Sequence, residues 1–294
     1  MAAIVVDDLH YAYPPLLPGQ DPVSVLRGVD LVVETGEFLG IMGPTGVGKS
    51  TLCMAMNGLV PRSTGGVIRG RVDVLGRSAR SVPVAQLAAH VGMVYQDPES
   101  QLVATSVEDE VAFGPENLGV DPAEIAERVD WALNVVGLAG LRRRPPMRLS
   151  GGQKQRLAIA ATLAMLPDVL ILDEPTANLD PVGQHEVLAV IAALRRRRHM
   201  TIVMVSQDAE RLAEYADRVA VMWAGRIARV DAPERLYADA DLLARTGIAA
   251  PQVAEVAAEL NRRHGTVHRF VCLDDAVAGL RSELANGTGG RCNR

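Results

Sequence analysis

Eight residues, Gly43-Pro44-Thr45-Gly46-Val47-Gly48-Lys49-Ser50, constrain this chain more than any other stretch. They match G-x-x-x-x-G-K-[ST] at every fixed position, the spacing of a phosphate-binding P-loop. An apolar run, Phe38–Met42, precedes them and a helical pattern follows, so the loop joins a predicted strand to a predicted helix. Glycines there let backbone N–H groups turn inward at the positive end of the helix, where they suit phosphate oxygens. In such a loop Lys49 reaches the β- and γ-phosphates, the Ser50 hydroxyl ligates Mg²⁺, and Thr51 continues the nucleotide-binding set. An ordinary Gly-rich turn is the bland alternative, and it leaves the flanking strand and helix unexplained.

A second apolar run, Val169-Leu170-Ile171-Leu172, ends in Asp173-Glu174. Two carboxylates at a strand end serve phosphoryl chemistry if Asp173 lies near the metal and Glu174 orients and deprotonates a water aimed at the γ-phosphate. General-base help of that kind contributes about 10²- to 10⁴-fold in rate. By itself the pair is compatible with a simple helix cap; beside a P-loop the catalytic reading is the more economical.

Further apolar runs at Val91–Tyr95, Thr201–Val205 and Val219–Trp223 alternate with helical patterns, as a βαβ architecture requires. Most are apolar on both faces, which fits a parallel sheet covered on both sides. The expected fold class is α/β: a P-loop NTPase with a RecA-like parallel-sheet core, an inserted helical subdomain and a small C-terminal extension. The main domain is expected over residues 4–243, with the helical subdomain at about 97–166. The extension is expected over 244–285, with helical spacing at Gln252–Arg263 and Asp274–Leu284 and a strand pattern at Thr266–Cys272. The Gly-rich residues 286–294 read as a disordered tail. Asp121-Pro122 reads as a helix cap followed by Pro at the first helical position.

A formal charge of −5 gives no footprint for a nucleic-acid binder. The basic runs Arg142–Arg144 and Arg195–Arg198 read as solvated cations near helix ends. Cys53, Cys272 and Cys292 are odd in number and widely spaced, which fits a reducing compartment better than a disulfide framework or a zinc site. The start Met-Ala-Ala-Ile carries no basic, apolar signal pattern, and the longest apolar stretch, Leu157–Leu166, is too short to cross a bilayer.

Leu149-Ser150-Gly151-Gly152-Gln153 adds a capping box (Ser150 with Gln153) and two glycines that bare N–H groups at a helix start. At this pentapeptide the chain resembles the ABC (ATP-binding cassette) ATPases. The resemblance implies that Ser150, Gly151, Gly152 and Gln153 close over a γ-phosphate held by the opposite subunit of a dimer, with Asp180 of Ala177-Asn178-Leu179-Asp180 near the interface. It also implies that Tyr13 stacks on adenine, with Tyr11 as a substitute and core packing as the alternative for either. Gln96 matches the glutamine that senses Mg²⁺ and the transport partner. The cofactors implied are ATP and Mg²⁺. One position departs from the family: Ser206-Gln207-Asp208 stands where a histidine is usual. A Gln amide can donate a hydrogen bond but cannot take up a proton, so slow hydrolysis with intact ATP binding is expected.

The stretch Gln96-Asp97-Pro98-Glu99-Ser100-Gln101-Leu102-Val103, continuing through Glu108-Asp109-Glu110 to Gly119, is similar to the ATPases of energy-coupling factor (ECF) importers for vitamins or transition-metal ions. That similarity implies an integral membrane T component, a substrate-binding S component, and a homodimer or a heterodimer with a homologous ATPase. It places the chain at the cytoplasmic face of the cell membrane as a peripheral subunit. Glu99, Glu108, Asp109 and Glu110 give the segment an acidic character suited to a basic partner helix, and the extension would serve dimer contacts. A conventional ABC importer ATPase, or a largely non-hydrolysing regulatory one, is the alternative.

Overall fold

The structure is a computed structural model that describes residues 1–287 apart from Leu16 and Asn178, and without the side chains of 194, 196–198 and 282–287. Strands β1 (Ala2–Tyr13) and β2 (Val23–Glu34) lead into β3 (Phe38–Met42), the P-loop and α1 (Lys49–Met56). Next come β4 (Val67–Val74), β5 (Arg77–Ser78), α2 (Val84–Ala88) and β6 (Val91–Val94). A helical unit follows: α3 (Val107–Asn117), α4 (Pro122–Val135) and α5 (Gly151–Ala164). The chain then returns to the sheet with β7 (Val169–Asp173), α6 (Pro181–Arg198), β8 (Thr201–Val205), α7 (Ala209–Tyr215), β9 (Arg218–Trp223) and β10 (Arg226–Asp231). Helices α8 (Pro233–Leu236), α9 (Ala240–Thr246), α10 (Gln252–His264) and α11 (Leu273–Gly287) finish it.

The central sheet has the order β10-β9-β3-β8-β7-β6, and its pairs are parallel except β10 with β9. Apart from the edge strand β10, its strands are largely buried on both faces, and alternate residues enter different cores. Phe38, Met42, Leu170, Leu172, Ile202 and Met204 pack among α3, α4, α5 and α6. Leu39, Ile41, Val169, Ile171, Val203 and Val205 face the opposite way, toward α1 and the strands of a second sheet. That second sheet is antiparallel, with order β2-β1-β4-β5. It escapes a simple alternation reading because β1 is bulged: its register with β2 shifts between Val6 and Leu9, and Asp8 sits at φ +43°.

Every functional loop leaves the same edge. The P-loop follows β3, the Gln96 segment follows β6, Asp173-Glu174 ends β7 and Gln207 follows β8. Because β8 lies between β3 and β7, Gln207 emerges between the P-loop and the carboxylate pair.

The helical unit starts as its sequence predicts. Asp121 caps α4 by accepting from the Ala123 N–H at 2.9 Å, with Pro122 at the first position. Arg142 corrects the reading of its basic run: it bonds both Glu108 and Asp130, tying α3 to α4 instead of lying free in solvent. Arg195 likewise donates to Gly36 O at 2.7 Å and to Asp217 at 2.5 Å.

In the extension, α10 and α11 enclose a small core of Ala257, Phe270 and Ala276, while Ala254 and Val271 join the main core. The strand expected at 266–272 is absent. Asn261 occupies that segment's polar groups: its side chain accepts from His268 N at 2.7 Å and from Thr266 Oγ1 at 2.9 Å, and donates to His268 O at 2.9 Å. The tail expectation falls largely on 288–294, outside the described residues. Among the described residues no helix is long and apolar enough to cross a membrane.

Candidate active site

The P-loop geometry depends on glycine at two points. Gly43 has φ +151°, and a Cβ there would lie 2.4 Å from Met222 O on β9. Gly48 has φ +109°, and its Cβ would meet Val25 Cγ1 at 2.9 Å. Either position excludes a side chain on both strain and space. Gly48 begins α1, whose first turn has no side-chain cap and no acidic residue, so its N–H groups remain open to an anion. Lys49 folds back and donates to Gly43 O at 2.8 Å and Pro44 O at 3.0 Å, which holds its ammonium across the loop.

Behind the loop lies the carboxylate pair. Asp173 is 4% exposed and accepts a hydrogen bond from Ser50. Burial pushes its pKa up, against the pull of the Ser50 hydroxyl and the Lys49 charge. Glu174 sits at φ +48°, a sparsely populated conformation that turns the chain off β7. Burial raises its pKa too, opposed by Lys49 and by the Gln207 backbone and side chain. Lys49 in turn is lowered by burial, with Glu174 and Asp173 working the other way.

Asp173 Oδ1 and Glu174 Oε1 are both buried without a hydrogen-bond partner. Orphaned anionic oxygens beside a serine hydroxyl suit a small hard cation with its waters. Among the described residues no cluster of three or more His, Cys, Asp or Glu forms a complete metal cage. The two orphaned oxygens and the Ser50 hydroxyl are a donor set that fits a Mg²⁺ ion.

Gln207 is exposed, and its Nε2 lies 3.5 Å from Thr45 Oγ1, a long contact that spans from the P-loop to Glu174. The two tyrosines separate. Tyr11 is 1% exposed and its hydroxyl bonds Thr64 Oγ1 and Gly65 O, each at 2.8 Å, so it belongs to the core. Tyr13 is half-buried, packs edge-on to Tyr11 with ring centroids 4.8 Å apart, and bonds Thr51 Oγ1 at 3.1 Å. Val25, packed close to Gly48, is a neighbour of the P-loop that the sequence reading missed. It lies on β2, and only the pairing of sheets brings it there.

Three residue groups stand outside this cluster. Gln96 is exposed beyond β6, with no hydrogen bond to Ser50 or Asp173. Ser150 caps α5 in a closed capping box: it accepts from Gln153 N at 3.3 Å, and Gln153 Oε1 accepts from Ser150 N at 3.1 Å. A Cβ on Gly151 would meet nothing within 4 Å, so this helix start faces open space. Asp180 caps α6 by accepting from Gly183 N at 2.7 Å, with Pro181 next; Asn178 lies outside the described residues.

Comparison with known proteins agrees with this geometry. The ABC transporter family model matches residues 26–177. The energy-coupling factor transporter ATP-binding protein EcfA2 of Symbiobacterium thermophilum is 42% identical over 97% of this chain and 98% of its own length. EcfA1 of the same organism is 44% identical over 94% of this chain and 96% of its own. Among solved structures, cbiO1 of Clostridium perfringens, part of the ABC transporter complex cbiONQ, superposes with a TM-score of 0.70 at 32% identity. That match covers 87% of this chain and 98% of cbiO1. The chain thus belongs to the ABC transporter family, as an ATP-hydrolysing subunit of the energy-coupling factor type.

Proposed function

We propose that this chain energises an ECF-type importer of a vitamin or a transition-metal ion, working as one half of an ATPase dimer. The observation that carries the hydrolytic part is the convergence of Lys49, Ser50, Asp173, Glu174 and Gln207 at the ends of three adjacent parallel strands. ATP would lie with its phosphates on the N–H groups of residues 43–51 and its base against Tyr13, with Val25 beside the loop. Ser50, with Asp173 and Gln96 acting through waters, would hold Mg²⁺. When bound, that ion would supply charge neutralisation for the phosphates.

Glu174 then orients and deprotonates the attacking water, and its burial favours a base that accepts a proton readily. Gln207 holds the Glu174 carboxylate and reaches toward the γ-phosphate through its amide. Ser150, Gly151, Gly152 and Gln153, with Asp180, face the nucleotide of the other subunit. An anion site exposed at a helix start, with no nucleotide pocket of its own chain beside it, supports that assignment. Closure and reopening of the dimer would move a membrane-embedded T component and its S component at the cytoplasmic face of the membrane.

The groove between α3, β6 and α5 supports docking there, but the acidic segment is more committed than its sequence suggests. Glu110 is buried and accepts from Val103 N and Ala104 N, Glu108 pairs with Arg142, and Glu99 pairs with Lys154. Gln207 favours a second reading, in which this chain is the slow half of an unequal pair and a homologous partner carries the histidine.

The test is co-expression with an ECF T component, followed by detergent purification and ATPase assay. The expected result is a stable complex whose ATPase exceeds that of the chain alone. Failure to associate with any T component, alone or beside a homologous ATPase, refutes the ECF assignment.

A further inference from the structure

One ion pair joins two segments that the proposed reaction uses separately. Glu99 lies on a short 3₁₀ turn, Pro98–Ser100, three residues past Gln96. Lys154 lies one turn into α5, four residues past Ser150. Lys154 is only 8% exposed, while the Glu99 side chain is 57% exposed, and their charged ends are hydrogen-bonded.

With so little of Lys154 exposed, its ammonium has few places to go other than its carboxylate. Removing the partner leaves a largely buried lysine without its hold, which costs more than the loss of a fully exposed pair. The next residue adds a second hold. Gln155 is fully buried, its Nε2 lies 3.5 Å from Tyr95 O, and its Oε1 has no partner. Gln101 Oε1 accepts from Tyr95 N at 2.8 Å, closing the turn that α5 grips. Two consecutive side chains of α5 thereby hold the segment around Gln96, Lys154 through the Glu99 side chain and Gln155 through the Tyr95 carbonyl, and the same helix begins with Ser150, Gly151 and Gly152.

We propose that Lys154 is a positioning residue for ATP hydrolysis. Its pair with Glu99 fixes the Ser150–Gln153 loop relative to the Gln96 segment, so displacement of that segment is passed to the loop. This rests on the reading of Ser150–Gln153 as a contact made across a dimer.

The experiment uses the full chain as Lys154→Met, Glu99→Gln and the double variant, with Glu174→Gln as a control. ATPase kinetics are read beside amide hydrogen exchange over residues 151–156. Each single variant should lose roughly tenfold in kcat with KM for ATP within about twofold, since its own P-loop still holds the nucleotide. Exchange over 151–156 should quicken several-fold, and the double variant should be no worse than Lys154→Met, because both changes remove one coupled interaction.

Unchanged exchange over 151–156, kcat within twofold of the parent in both single variants, or losses that multiply in the double variant each overturn the proposal. So does a rise in KM at constant kcat, which would place Lys154 in nucleotide binding. If Glu174→Gln hydrolyses normally, it is the functional reading that fails; a parent that turns over only beside a homologous ATPase is the slow half of an unequal pair, and the kinetics are then read in that pair. The exchange measurement then still decides whether the pair positions the loop.

Discussion

Replacing Glu174 by Gln removes one proton acceptor and leaves the shape of the site intact. Glu174 Oε1 is buried without a donor, so the amide loses no hydrogen bond that this oxygen accepts. A lost general base lowers kcat by about 10²- to 10⁴-fold, or about 3 to 5 kcal/mol of barrier. ATP affinity should hold or tighten, because the phosphates rest on the loop N–H groups and Lys49, and a carboxylate beside the γ-phosphate has gone. ATP without turnover should then trap a closed dimer, visible as an ATP-dependent doubling of mass by light scattering.

The same substitution also bears on stability. Burial outweighs Lys49 and raises the Glu174 pKa in the folded chain. A carboxyl raised by folding binds its proton more tightly in the native state. Its ionisation therefore costs stability as pH rises through the range from the unfolded value of 4.5 to the folded one. Glu174→Gln should raise the nucleotide-free melting temperature at pH 7, and the gain should fade toward pH 4. A variant that keeps more than a tenth of parental kcat, or that melts lower at pH 7, would remove Glu174 from the role of buried base.

Other substitutions test separate parts of the site. Gln207→His should raise kcat and add a second titration near the ordinary histidine pKa of about 6.5 to the pH profile; an unchanged rate and profile would mean that the amide is a full substitute. Tyr13→Ala should weaken ATP binding by about 1–3 kcal/mol with little change in melting. Tyr11→Ala should instead cost about 3–5 kcal/mol of stability, as for a large buried aromatic, and the opposite pattern in calorimetry would exchange their roles. Gly48→Ala forces an L-residue to φ +109° and places its Cβ 2.9 Å from Val25. The expected outcome is a stability loss of at least about 1–2 kcal/mol together with lost nucleotide binding, checked by denaturation and titration with a fluorescent ATP analogue.

Much of the site was legible because its chemistry is local. A loop of fixed glycines, a strand ending in two carboxylates and a capping box are each written within eight consecutive residues. The parallel strands were legible for a related reason. Burial on both faces demands continuous apolar runs, and the predicted Phe38–Met42 and Thr201–Val205 are the strands found. The antiparallel sheet was not, because β1 is bulged at Asp7-Asp8 and its residues alternate between core and solvent only in pieces. A bulge breaks the two-residue period on which such a reading depends.

What the sequence alone determined is the kind of chemistry to look for: a loop built to receive phosphate, a carboxylate pair at a strand end, and Gln207 where the family usually has a histidine. What only the tertiary structure decided are contacts between residues far apart in the chain. Tyr11 and Tyr13 are two positions apart and equally aromatic, yet hydrogen bonds to Gly65 and Thr64 commit one to the core while a bond to Thr51 leaves the other beside the P-loop helix. The acidic residues of 99–110 read as free charge until Lys154, Arg142 and two loop N–H groups are found on them. Thr266–Cys272 had the composition of a strand but no strand to pair with, and Asn261 took its hydrogen bonds instead. A chain's own spacing fixes what a residue can do; which partner it meets is set by the packing of elements that the spacing does not encode.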